Sequence, residues 1–226
     1  MTVKLRIVVL ISYICLLGIG GYAKTLVNEE SQGTDSDIGD VLGRLEEKMS
    51  KIRTIKTDFI QEKDIAIFNQ KVVLKGTIFL QKPLLFAWHV REPVRYSLVI
   101  KGDEIRQWNE DTDRVQQVYL KEAPVFKMII EQMIKWFSGT YTSMIKECDV
   151  KILKQHPTTL KFTFLESTVA SKFINNVIVI FREDERYIHQ IHLKEKSGDS
   201  MLLTFIETQL NVPIDAASWE ARPRVR

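Results

Sequence analysis

The chain has 226 residues, 45% of them hydrophobic, with a formal net charge of +3 and two cysteines. That length buries an ordinary core without cross-links, and the small excess of cations offers no electrostatic case for nucleic acid. A disulfide-built scaffold and a polybasic binder are excluded, and one globular domain is expected.

The chain begins MTVKLRIVVLISYICLLGIGGYAKT. Lys4 and Arg6 form a basic start, Ile7 to Gly20 is apolar throughout, and Gly21 and Ala23 supply small residues where signal peptidase cuts. Residues 1–23 are therefore expected to be a cleaved signal peptide. The competing reading is an uncleaved N-terminal anchor, for which the run falls short of the about 20 residues that span a bilayer. Bulky Tyr13 and Ile14 before Cys15 speak against a lipid anchor. Cleavage leaves Cys148 as the single cysteine, so no internal disulfide can form. Residues 24–36, KTLVNEESQGTDS, are polar and without periodicity, which predicts a flexible leader. The remainder, 37–226, is read as one domain.

Asp37 is placed as the N-cap of a helix running to about Ile55. Ile38, Val41, Leu42, Leu45, Met49 and Ile52 give it one apolar stripe at three-four spacing. From Thr57 the period becomes two, predicting strands over Thr57–Ile67, Val72–Gln81, Leu84–Val90, Tyr96–Lys101, Glu104–Trp108 and Arg114–Leu120. In LQKPLLFAWHV (80–90), alternation puts Lys82, Leu84, Phe86, Trp88 and Val90 on one face. The breaks between strands are too short for parallel crossovers, so an antiparallel meander is expected. Strand periodicity returns over Asp149–Gln155, Thr159–Glu166, Asn175–Arg182, Tyr187–Lys194 and Met201–Leu210.

Between the two strand runs lies KEAPVFKMIIEQMIKWFSGTYTSMIKECD. Pro124 suits a first helical residue and Gly139 suits the position just past the end, with a second short helix over Tyr141–Glu147. The helix Pro124–Phe137 confines Lys127, Glu131, Gln132 and Lys135 to one arc and is apolar over the rest, more than packing on one sheet requires. Strands with Val177, Val179 and Phe181 alternating with Ile178 and Ile180, and Leu203 and Phe205 with Leu202 and Ile206, are apolar on both sides. Periodicity alone leaves two readings open: a wide hydrophobic cavity, or a central helix packed dry inside a closing barrel.

Catalytic chemistry finds no residues to stand on. His89, His156, His189 and His192 are badly spaced for a metal, and the acidic clusters, Glu183-Asp184-Glu185 among them, read as solvated turns. Cys148 has no base beside it and reads as inert. No phosphate loop, nucleophile elbow or zinc-protease motif occurs. Neither an enzyme, a cofactor nor a metal site is expected.

Phe59 and Gln61 in DFIQEK, Gly76, then Lys82, Pro83, Phe86 and Trp88, then Pro93, stand in the order in which the periplasmic outer-membrane lipoprotein carrier family, LolA, carries similar elements. The ending NVPIDAASWEARP (211–223) resembles that family's terminal segment, and the likeness spans nearly all of the mature chain. The resemblance implies an α+β fold: a half-open antiparallel barrel of about ten strands, an N-terminal helix, and an inserted helical lid over a hydrophobic cavity. It implies a monomeric periplasmic chaperone that shields the acyl chains of lipoproteins between an inner-membrane donor complex and an outer-membrane acceptor. Strand parity and the helical wheel place Phe59, Leu84, Phe86, Trp88, Leu98 and Ile100 on the sheet side of that cavity. Met128, Ile129, Met133 and Trp136 would line its lid side. Lys82 stands where the family usually has a lid-holding arginine, and Arg106 where many members have a tryptophan, with Trp108 two residues on. These departures keep two alternatives open, a carrier of another lipid or glycolipid working with an inner-membrane exporter, and a lipid-sensing regulatory module. A filled interaction barrel is the third.

Overall fold

The computed structural model describes residues 35–68, 70–122, 131–132 and 134–222. The expected signal peptide, residues 24–34 of the expected leader, Pro124, Met128, Ile129 and Met133 lie outside these residues, and the last two leader residues, Asp35 and Ser36, belong to the first helix.

Helix α1 spans Asp35–Ser50. Its stripe of Val41, Leu42, Leu45 and Met49 is buried against the sheet, each side chain worth about 2 kcal/mol. Both boundaries differ from expectation. Asp37 lies inside the helix, and the end comes at Ser50 because the next residues are captured by strands. Thr54 already pairs with Gln81, and the Lys82 amide donates to the Arg53 carbonyl at 2.9 Å. Ile52 and Ile55 still reach the core, the latter from a strand.

Eleven strands follow: β1 (Thr54–Ile65), β2 (Gln70–Gln81), β3 (Leu85–Glu92), β4 (Tyr96–Lys101), β5 (Glu104–Asn109) and β6 (Arg114–Tyr119), then β7 (Cys148–Gln155), β8 (Thr158–Phe164), β9 (Ile174–Phe181), β10 (Ile188–Glu195) and β11 (Ser200–Leu210). They form a single antiparallel sheet in the order β6-β5-β4-β3-β2-β1-β11-β10-β9-β8-β7. Two meanders are thus joined through the β1–β11 ladder, which pairs Phe59 with Phe205. The β6 and β7 ends do not pair, so the barrel stays open. Between them, 131–132 and 134–138 are helical, Gly139 follows at φ +81°, and a short 3₁₀ turn covers Thr142–Lys146.

One side of the sheet is the main core. Phe59, Ile78, Phe86, Trp88, Leu98, Ile100, Phe162, Val179, Phe181, Leu203 and Phe205 lie on it, all nearly inaccessible. Gly76 is required on β2, because a Cβ there would overlap the His89 carbonyl oxygen and come within 2.7 Å of the Phe59 ring. At one end this face turns polar: Gln61 and Lys63 are buried, and Lys63 pairs with buried Glu195 at 3.3 Å.

The other side holds a smaller cluster. Ala87, Val99 and Trp108 are covered by Trp219 and Ala221 of the segment after β11, with Phe79 alongside. His89 fixes this strap. The Ser218 carbonyl can only accept, so the imidazole Nε2–H donates to it at 2.8 Å and Nδ1 accepts from Ser97 Oγ at 2.8 Å. Burial lowers the His89 pKa, with Arg91 adding to the effect. The second apolar set of the two-sided strands also faces this side. Ile178 and Ile180 are half-buried, and Ile206 is exposed. That excess therefore belongs to the outer surface and does not widen the interior.

Candidate functional site

The inner face of the sheet and the helices lying on it form the site. Phe59, Phe86, Trp88, Leu98, Ile100 and Trp136, six of the ten residues expected there, are all buried in one cluster. Their rings interlock: Phe59 and Trp88 are 4.8 Å apart between centroids, Phe86 and Phe137 6.0 Å, Phe137 and Phe205 5.4 Å, and Trp136 meets Phe162 edge-on at 4.5 Å. Leu84 sits at the rim instead, 38% exposed, in the turn between β2 and β3. Trp108 is on the outer face beneath the strap. Its displacement by two residues from the family's position leaves the parity unchanged.

Polar contacts at the rim hold the helices down. Lys82 Nζ donates to the Met49 carbonyl at 2.7 Å, near the negative C-terminal end of α1, where that oxygen also accepts from the Ile52 amide at 3.1 Å. The acceptor thus belongs to the leading helix, not to the described part of the inserted one. The two helices meet at the same residue, since a Cβ on Gly139 would collide with Met49 Cβ. Burial lowers the Lys82 pKa, and no carboxylate pairs with it among the described residues. A single carbonyl against that desolvation makes a weak latch.

A second clasp was not legible in the sequence. Glu185, in the β9–β10 turn, is buried and takes the positive φ of 59°. Its carboxylate accepts from Arg44 at 3.0 and 3.1 Å, from Lys48 at 2.7 Å and from Thr158 Oγ1 at 2.5 Å. The Arg44 guanidinium, with Lys48 and Thr158, holds its pKa down to about 2. The expectation of a solvated acidic tip therefore fails for this residue. Glu46 makes a third contact, accepting from the Thr142 amide and hydroxyl at 3.0 and 2.6 Å. On the inserted helix, Gln132 and Lys135 donate to Glu147, and Tyr141 Oη donates to the Trp136 carbonyl at 2.9 Å.

With these contacts made, the described helices rest directly on the wall. Among the described residues, small voids of about 10 Å³ lie beside Lys82, Phe86, Ile100 and Ile134 and beside Met49, Phe137 and Phe205. Each has room for about one water molecule. Among the described residues no group of His, Cys, Asp and Glu could hold a metal, and no helix is long and apolar enough to cross a membrane. Cys148 is buried, and burial pushes its thiol up to about 12, with Glu147 contributing.

Residues 50–221 match the family described as outer membrane lipoprotein carrier protein LolA. The chain belongs to the LolA family. Proteins of this family are periplasmic and act as carriers or binding proteins. No curated protein matches the chain. Among solved structures, an uncharacterized conserved protein of Thermus thermophilus is similar at 10% identity and a TM-score of 0.52, covering 83% of this chain and 95% of that one. A LolA superfamily protein of Nitrosomonas europaea has 10% identity and a TM-score of 0.39, over 76% and 94%. The Mycobacterium tuberculosis lipoprotein LppX has 11% identity and a TM-score of 0.48, over 80% and 99%. The Thermus likeness concerns the fold alone; the family match makes this unclosed antiparallel sheet with a leading helix a LolA-like one.

Lys82 is the simplest handle on closure. Lys82→Met keeps the apolar stem and removes the donor. It is expected to leave the far-ultraviolet circular dichroism unchanged and to speed the entry of an anilinonaphthalene sulfonate dye. An unchanged rate would show that the Met49 contact does not hold α1 down.

Proposed function

We propose that this LolA-family protein is a periplasmic carrier that shields the acyl chains of lipoproteins between an inner-membrane donor and an outer-membrane acceptor. The observation that supports this most directly is a continuous apolar wall covered by helices that, among the described residues, are secured by rim contacts at Lys82, Glu185 and Glu46. Sixteen carbons of acyl chain need on the order of 12 kcal/mol of shelter from water. Lifting α1 uncovers Val41, Leu42, Leu45 and Met49 together with their footprint on the sheet, a cost of the same order. Exchange of the protein's own side chains for a guest chain is therefore close to balanced, which passive loading and release require. On this reading the space for cargo is enlarged by parting the helices from the wall, with the Lys82 and Glu185 contacts opposing the movement.

Phe86→Glu tests the reading, because it puts a carboxylate in the wall beside Phe137. The variant is expected to lose co-purification of lipidated cargo from the periplasm while keeping its circular dichroism. Undiminished cargo on a folded Phe86→Glu protein would overturn the carrier assignment.

A further inference from the structure

Trp88 carries a polar group that the closed structure does not use. Its side chain is 3% exposed at mid-strand on the inner wall, and its indole Nε1–H has no acceptor. The cross-strand neighbours are Ile78 and Leu98, and the nearest rings are Phe59 and Phe86. A ring face accepts an N–H only weakly, and a bridging water needs two to four polar partners that these neighbours do not provide. A buried donor left unpaired is costly, and tryptophan at such a position ordinarily finds a partner. Phenylalanine would fill the wall without that cost.

We propose that Trp88 Nε1–H is the binding group for an acyl carbonyl, so that the wall selects ester- or amide-linked acyl chains over alkyl chains. The inference rests on the carrier reading above and adds the chemistry of the guest. An ester or amide brings one strong acceptor joined to hydrocarbon, which is what a single donor in an apolar wall complements. A carboxylate is a poor match. It would carry an uncompensated charge into the wall, since Lys63 is already paired with Glu195 and Lys82 lies about 13 Å away, at the hairpin end four residues beyond the cross-strand partner Ile78. The bound carbonyl accordingly sits inside the wall and not at the Lys82 rim.

The test titrates the full chain with 1-lauroyl-lysophosphatidylcholine and with its 1-O-dodecyl ether, which differ at the linkage carbonyl, and repeats the comparison with Trp88→Phe. A second pair, a cysteine peptide bearing dilauroylglyceryl and its dialkyl-ether counterpart, separates the two sources of acyl ester. The wild-type protein is expected to favour ester over ether on the order of tenfold, and Trp88→Phe to bring the ratio to one or below. A preference in both pairs supports acyl-ester recognition in general, and a preference in one pair names phospholipid or lipoprotein as the source. Equal wild-type affinities within both pairs overturn the assignment of Trp88 and leave the carrier reading standing. Should Trp88→Phe fail to fold, that wild-type ratio still decides. Absence of binding by all four compounds overturns both readings together.

Discussion

Gly76→Ala is expected to lower the unfolding free energy by about 3 kcal/mol, a large share of what a domain of this size possesses. A methyl group there overlaps the His89 carbonyl and meets the Phe59 ring at 2.7 Å. The carbonyl belongs to the neighbouring strand β3, so the clash cannot be relieved by turning a side chain. Relief means pushing β2 and β3 apart beside Trp88, or driving Phe59 out of its packing in the wall. A urea titration followed by tryptophan fluorescence should show the midpoint falling with little change in slope. Gly39→Ala and Gly43→Ala are the matched controls. Both glycines lie in α1 with nothing within 4 Å of an added Cβ, and each substitution should raise stability by about 0.5–1 kcal/mol. A Gly76→Ala midpoint equal to that of the controls would show that β2 and β3 yield freely at this point.

Glu185→Gln carries the second large effect, about 2 kcal/mol of stability near neutral pH, from charge-assisted bonds to Arg44 and Lys48. The figure is modest because both cations are themselves partly exposed, at 44% and 36%. Its pH dependence is distinctive. The folded pKa of Glu185 lies at about 2, below its ordinary value of 4.5, so the unfolded chain takes up the proton first as the solution is acidified. The contribution is complete above pH 4.5 and is lost as pH falls through the folded value of about 2. Wild-type and variant stabilities should therefore converge across that window, and parallel curves would assign the carboxylate no part in holding α1. Hydrogen exchange reports the same clasp locally, with α1 amides expected to exchange faster in the variant near neutral pH.

The wall was the legible part of the site. Strand parity puts Phe59, Phe86, Trp88, Leu98 and Ile100 together, and the register agrees. Trp88 stands between Ile78 and Leu98, and Phe86 between Leu80 and Ile100. The clasp at Glu185 was not legible. In sequence it is one of three acidic residues in a turn, and its partner Arg44 is 141 positions away. The side of the sheet to which Ile178, Ile180, Leu202 and Ile206 belong was equally hidden. An alternating strand with two apolar faces does not say which face is inside.

By itself the sequence determined what depends on near neighbours: the period-two strands, the short connections that force antiparallel pairing, the apolar stripe of α1, and Gly139 as a helix terminator. Such features follow from backbone geometry and side-chain spacing over a few residues. Tertiary structure decided what depends on distant partners. It joined the two meanders through β1 and β11, set Lys82 against the carbonyl of Met49, and laid Trp219 and Ala221 over Trp108. It also left the Trp88 N–H inside the wall without an acceptor. The physical reason is common to all four: a hydrogen bond or a packed face is defined by the group opposite, and only the folded chain supplies that group.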